Sequence, residues 1–290
     1  MLSALIKSAR PAQWLKNLIL FAALIFAGEM MSLDNGVIVL TAFFVFCLLS
    51  SGIYLFNDLL DKEKDKQHPL KKLRPIASGE LSQTAILVAI LFCLATGLGT
   101  AWNLGITFFT VVSVFILFNL LYTLFLKHIV IIDVMSIGIS FVLRAYAGAV
   151  VISVPTSKWL LINTLLLALF LGFGKRRHEL ILLEGNAENH RKILDRYSPY
   201  LLDQLIGVVT ASVVVMYMLY SFSPEVSAKL KTENLYLTIP FVVYGIFRYL
   251  YLIHKEEKGG SPTKVMISDL PIMVTVILWI LTVILVLYIL

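Results

Sequence analysis

Residues 57–65 read N-D-L-L-D-K-E-K-D, which spaces Asn57, Asp58, Asp61 and Asp65 at i, i+1, i+4 and i+8. On a helix the three aspartates, at i, i+3 and i+7, share one face. Stacked carboxylates repel each other unless a cation joins them. Oxygen ligands without His or Cys suit Mg²⁺ or Mn²⁺, and Mg²⁺ typically takes one or two carboxylates and fills its shell with phosphate oxygens and water. The economical chemistry is a metal-bridged site for a diphosphate, with Asp58, Asp61 and Asp65 as metal ligands and catalytic carboxylates and Asn57 orienting. The competing reading is a solvated helix end on which Lys62, Lys64 and Lys66 form surface ion pairs. Asn57 and Asp58 grow directly out of an apolar run, at or near membrane depth. Ionisable groups there are expensive, which favours the functional reading.

Downstream, K-K-L-R-P-I-A-S-G supplies Lys71, Lys72, Arg74, Pro75, Ser78 and Gly79, a basic turn able to fold back over an anion. Lysine as a point charge and arginine as a fork are the usual phosphate partners. A second polar stretch holds G-K-R-R-H-E-L (Gly174–Leu180), then Arg191, Arg196, Tyr197 and Asp203. Lys175, Arg176 and Arg177 are phosphate candidates, and equally a topology anchor at a helix C-terminus, where the dipole favours cations. Ser198-Pro199 is a good N-cap and N1 pair for the following helix, and Asp203 falls near its start. Tyr122, Lys127 and Asp133 mark the same side, and Lys16 joins the phosphate candidates. Arg144, deeper in a span, is expected to find an interhelical partner rather than a ligand. The histidines (His68, His128, His178, His190, His254) are scattered singly with no ligand spacing.

The elements that must carry these groups are read from composition. The 290 residues are 59% hydrophobic and only 14% charged, with a mean hydropathy of +0.89. Soluble domains run near 25% charged, so recurring apolar stretches of about 20 residues read as membrane spans. A disulfide scaffold, a disordered chain and a coiled coil are excluded, and Cys47 and Cys93 lie inside apolar runs. Nine segments are expected: 17–28, 36–56, 82–101, 105–126, 130–152, 158–174, 200–222, 235–253 and 268–290. A signal peptide over 1–28 is disfavoured by Trp14, Lys16 and Asn17 and by the lack of a convincing cleavage site. Nineteen of the 24 lysines and arginines fall on one side of this alternation, including Arg191, Lys192 and Lys258. The positive-inside rule then makes that side, with the N-terminus and both long polar loops, cytoplasmic. The net charge of +6 is thereby a topology signal, and nucleic acid is unneeded as a partner. The expectation is an all-α multi-pass protein of the cytoplasmic membrane, residues 1–290 forming a single integral-membrane domain.

With these residues set out, the chain resembles the UbiA-type membrane prenyltransferase superfamily, in the N-D-x-x-D-x-x-x-D after a span, the nine-span pattern and the polar loop after the sixth. R-P-A-Q-W-L-K-N (Arg10–Asn17), Y-T-L-F-L-K-H (Tyr122–His128), I-D-V-M-S-I-G-I-S-F-V-L-R-A-Y-A-G (Ile132–Gly148), G-K-R-R-H-E-L, Y-S-P-Y-L-L-D (Tyr197–Asp203) and S-P-T-K-V-M-I-S-D-L-P (Ser261–Pro271) resemble its decaprenyl-phosphate phosphoribosyltransferase branch. The resemblance implies a UbiA-like helical bundle. It implies 5-phosphoribosyl 1-diphosphate as donor, a polyprenyl phosphate as acceptor, Mg²⁺ as cofactor and a role in cell wall biosynthesis. Lys16, Arg74, Lys127, Lys175, Arg176 and Arg177 would serve the two phosphate groups, with Tyr122 among the substrate-binding residues, and Tyr197 and Asp203 the ribose hydroxyls or a second metal. Aromatic prenyltransferases of the superfamily carry a second aspartate-rich motif after the sixth span. Here that region is cationic, which weakens the alternative of an aromatic or quinone-precursor prenyltransferase using an allylic diphosphate. A transporter is disfavoured, because the acids gather at one interface rather than at the midplane and no inverted repeat is evident.

Overall fold

The apolar runs fold as helices, and among the described residues there is no strand. The computed structural model describes residues 2–67, 71–182, 193–256 and 259–290. His68, His190, Arg191, Lys192 and Lys258, weighed above, lie outside them. Eight helices are long and apolar enough to cross a membrane. They are α1 (Leu33–Leu60), α2 (Gln83–Asn103), α3 (Ile106–Leu124), α4 (Ile132–Val151), α5 (Lys158–Leu182), α6 (Pro199–Ser221), α7 (Ile239–His254, entered through a 3₁₀ turn Asn234–Thr238) and α8 (Leu270–Tyr288). Side chains cap several of their starts, among them the expected Ser198 of α6. Ser32, Ser82 and Asp269 accept from Asn35, Ala85 and Ile272 backbone amides, and Ser198 Oγ accepts from Leu201 N at 3.1 Å, with Pro199 as the first helical residue.

Two large apolar cores, with two smaller ones, hold the bundle. In one, Phe46 of α1 packs edge-on against Phe115 and Phe108 of α3, beside Leu49 and Ala147. In the other, Phe170 of α5 meets Tyr249 of α7, with Val134, Leu202 and Ile246 around them. Leu91, Phe92, Leu117 and Val208 face outward instead. Helices apolar on all sides belong in lipid.

The first expected span takes an unusual form. Pro11–Leu20 winds as a 3₁₀ helix and continues as the α-helix Phe21–Phe26. At 2.0 Å and 1.5 Å per residue these 16 residues cover roughly 29 Å, about one bilayer core. One end lies at Arg10, bonded to Asp58 near the end of α1; the other lies at Ile25, whose carbonyl accepts from Tyr288 Oη at the end of α8. The segment is pressed onto α4, where a Cβ at Gly148 would stand 2.3 Å from the Leu20 carbonyl oxygen. Only glycine allows that approach. The sixth span also differs from its expected range of 158–174: α5 continues to Leu182. Apolarity stops at Gly174, but Lys175 and Arg176 pair with Glu179 one turn on, so the helix persists as a polar one.

Candidate active site

The acidic motif sits where α1 ends. Asn57 and Asp58 occupy its last turn, with Asp58 buried, and the helix closes at Leu60 with Asp61 as its C-cap. A short helix, Lys62–Gln67, resumes and buries Asp65. The expected continuous stripe of three aspartates is therefore broken at Asp61, which turns to a different partner from the other two.

Each carboxylate meets a cation brought from elsewhere in the chain. Arg10 Nη2 donates to Asp58 Oδ1 and Oδ2 at 2.5 and 2.7 Å. Arg10 stands in the left-handed region at φ 55°, an uncommon conformation for a residue with a Cβ, and its guanidinium lies over the Tyr54 ring. Arg74 Nη1 bridges Asp58 Oδ1 at 3.0 Å and Asp65 Oδ2 at 2.6 Å. Lys127, buried in the turn after α3, donates to both Asp61 oxygens at 3.0–3.1 Å and to Asn57 Oδ1 at 3.3 Å. Three acids and three bases thus close a neutral cluster at one end of an apolar bundle. Burial pushes the Asp65 carboxyl above the usual aspartate range, against the opposing pull of Arg74 and Lys71.

The cluster fits a divalent ion of the Mg²⁺ type. One nitrogen of Arg74 already draws an oxygen of Asp58 and one of Asp65 towards the same point, so a cation occupies the position between them. All donors are oxygens. Among the described residues no group of three or more His, Cys, Asp or Glu forms a cage on its own. A metal there would have to complete its shell from substrate and water, as Mg²⁺ does.

The second polar stretch separates into two further networks. Arg176 Nε donates to Asp133 Oδ2 at 2.6 Å, Tyr197 Oη donates to Asp133 Oδ1 at 2.8 Å, and the Ile131 amide donates to Tyr197 Oη at 2.6 Å. Arg176 and Asp133 are fully buried, and burial raises the Tyr197 hydroxyl's pKa. Ile131 takes φ 68°, a strained value for a β-branched residue, which the Tyr197 contact helps to hold. These groups weld the start of α4 to the extension of α5 and to the 194–197 turn. Tyr122 lies within electrostatic reach of Arg176, and Lys175 pairs with Glu179. Arg177 and His254 both bind Asp203, at the polar mouth of an apolar groove between α6 and α7 lined by Ile206, Thr210, Val214 and Phe247. So Asn57, Asp58, Asp61, Asp65, Arg74 and Lys127 come together, whereas Arg176 and Tyr197 are engaged by Asp133, and Arg177 by Asp203. Sequence reasoning missed Arg10 and Asp133 as partners. The Arg-Pro pair and an aspartate opening a span were the available signals.

Residues 17–270 match the UbiA prenyltransferase family. The chain belongs to that family. Within it the chain is 33% identical to a decaprenyl-phosphate phosphoribosyltransferase of Corynebacterium glutamicum, aligned over 98% of this chain and 87% of that one. A protein of the same description from Mycolicibacterium smegmatis is 34% identical, over 97% and 91%. Among solved structures, a UbiA homolog from Archaeoglobus fulgidus bound to GPP and Mg²⁺ superposes with a TM-score of 0.71 at 18% identity, covering 97% of this chain and 96% of that chain. The helical arrangement as a whole is thus that of the UbiA fold.

Proposed function

We propose that this UbiA-family protein transfers a 5-phosphoribosyl group from 5-phosphoribosyl 1-diphosphate to a polyprenyl phosphate of the decaprenyl type, releasing diphosphate. The observation that carries the reading is the neutral cluster of Asp58, Asp61 and Asp65 with Arg10, Arg74 and Lys127, in a chain similar over nearly its full length to phosphoribosyltransferases acting on decaprenyl phosphate. Asp58 and Asp65 would hold Mg²⁺, with Asp61 and Asn57 bordering it. Bound Mg²⁺ would supply charge neutralisation to the diphosphate as the C1–O bond of ribose breaks.

The protein's own groups do the rest. Arg10, Arg74 and Lys127 exchange carboxylate partners for diphosphate oxygens, which draws the leaving group into the cluster and orients the ribose. The apolar bundle keeps water from the electron-poor C1. The acceptor's phosphate oxygen is already anionic at neutral pH and attacks C1 without a general base. Arg176, Asp133 and Tyr197 act by fixing the second polar stretch against α4. The excess of Lys and Arg beside the cluster supports a cytoplasmic active site, where a soluble sugar diphosphate meets a lipid whose tail lies in the bilayer.

Purified protein incubated with Mg²⁺, labelled 5-phosphoribosyl 1-diphosphate and polyprenyl phosphate is expected to move label into organic solvent. Label that stays aqueous, while an allylic diphosphate is consumed with an aromatic acceptor, would instead establish the aromatic prenyltransferase reading.

A further inference from the structure

The acidic cluster leaves two cations unexplained, one buried (Arg144) and one half-buried (Lys16). Arg144 lies 11 residues into α4 from Asp133, about 16 Å along the axis and so near mid-bundle. Its side chain is buried, and every hydrogen-bond partner is neutral. Nε donates to Asn17 Oδ1 at 2.8 Å, and Nη1 donates to the Ser140 carbonyl and Oγ at 2.8 and 2.9 Å. The guanidinium is sandwiched over Phe115 and Phe141, with its carbon 4.6 and 5.5 Å from the ring centres. These contacts orient the fork and disperse its charge, but no carboxylate cancels it. The expected interhelical partner exists as Asn17, which is uncharged.

Lys16 is the neighbour of Asn17 on the 3₁₀ segment. Among the described residues it has neither a hydrogen bond nor an ion pair, and the charges that bear on it are those of Arg144 and Arg10, both positive. Arg10 is engaged by Asp58. The buried Arg144, bonded to Asn17, and the half-buried Lys16 beside Asn17 act on each other without an acid between them, which is costly unless an anion joins them.

The missing anion can be specified by charge. A carboxylate would leave one cation uncompensated, and a diphosphate is served by the acidic cluster. A phosphate monoester carries about −1.5 to −2 at neutral pH and offers three acceptor oxygens. A lysine point charge and an arginine whose Nη2 edge is not used by Asn17 or Ser140 suit that group.

We propose that Lys16 and Arg144 form a phosphate-monoester site, deeper in the bundle than the acidic cluster. It rests on the transferase reading for its two sources, the head of the lipid acceptor or the 5-phosphate of the donor, which share this chemistry. The Lys16→Met variant keeps an apolar stem and sacrifices no bond within the protein. In the full-length enzyme it is expected to raise the KM of one substrate about tenfold to hundredfold, the range of a charge-assisted hydrogen bond, with the other KM within about twofold. A rise confined to the polyprenyl phosphate assigns the site to the acceptor, and a rise confined to phosphoribosyl diphosphate assigns it to the donor's 5-phosphate. Lys16→Arg should recover most of the loss. Unchanged KM values, or an equal rise in both, overturn the proposal. Direct binding of geranyl phosphate and of ribose 5-phosphate, wild type against Lys16→Met, gives a readout independent of turnover. If the wild-type protein transfers nothing yet binds one of these probes through Lys16, the transferase reading fails and the site stands; if neither probe depends on Lys16, the site fails.

Discussion

Arg176 Nε lies 2.6 Å from Asp133 Oδ2, and both side chains are shut away from solvent, so the polar extension of α5 is anchored to the first turn of α4 by a fully buried ion pair. The pair sits beside the acidic cluster without belonging to it. Removing Asp133 leaves the buried guanidinium with Glu179 as its remaining anion and takes away the acceptor of Tyr197 Oη. Asp133→Ala is therefore expected to destabilise the protein by about 1–3 kcal/mol, the cost of leaving buried donors without their acceptor. Thermal unfolding in detergent should report a lower Tm, whether or not substrate is present. An unchanged Tm would mean that Glu179 alone satisfies Arg176, and the assignment of Asp133 as its anchor would be lost.

The aspartates themselves should separate in effect. Asp58 is bound by two arginines and Asp65 shares Arg74 with it, whereas Asp61 faces Lys127. Asp58→Ala is expected to reduce transfer by more than about a hundredfold, since a bound divalent ion contributes several kcal/mol of charge stabilisation. Asp61→Ala should also abolish measurable transfer, while leaving residual Mg²⁺ binding that Asp58→Ala lacks. Turnover in membranes with matched protein levels provides the comparison. Full activity in both variants removes the metal role.

Much of this arrangement was legible in the sequence because its signals are local. Apolar run length gave the eight spanning helices, and the Ser198-Pro199 pair gave the start of α6. The basic turn around Arg74 was read as able to fold over an anion; it folds over Asp58 and Asp65, sixteen and nine residues away. What escaped were long-range pairings. Nothing local says that Arg10 meets Asp58 across 48 residues or that Arg176 meets Asp133 across 43. The cations after Gly174 were weighed for phosphate because composition reveals charge but not its partner. The helical extension of α5 was missed because the polar run Lys175–Glu179 interrupts its apolar signal.

Acidification should weaken metal binding through Asp65. Its carboxyl is held above the ordinary aspartate value of 3.8 by burial. Its protonated form thus persists to higher pH than in an exposed aspartate, and that proton must leave before the oxygen can ligate an ion. Apparent Mg²⁺ affinity should fall as pH drops towards this raised value, earlier than an ordinary aspartate would dictate. Mg²⁺-induced thermal stabilisation of chelator-treated protein, measured from pH 7 to pH 4, follows the effect. Asp65→Asn should flatten the profile; an identical profile in that variant assigns the titration elsewhere.

Chelation offers a simpler check. Treatment with EDTA is expected to stop transfer, and added Mg²⁺ to restore it, with no change in the helix content seen by circular dichroism. Transfer that continues after exhaustive chelation would show that the arginines and Lys127 manage the diphosphate alone.

The most direct measurement is equilibrium binding of labelled 5-phosphoribosyl 1-diphosphate to the purified protein with and without Mg²⁺, in wild type and in Asp58→Asn. Tight binding that needs Mg²⁺ and is lost in the variant is the predicted result. Binding of equal strength in all four conditions would contradict a carboxylate-held ion as the grip on the leaving group.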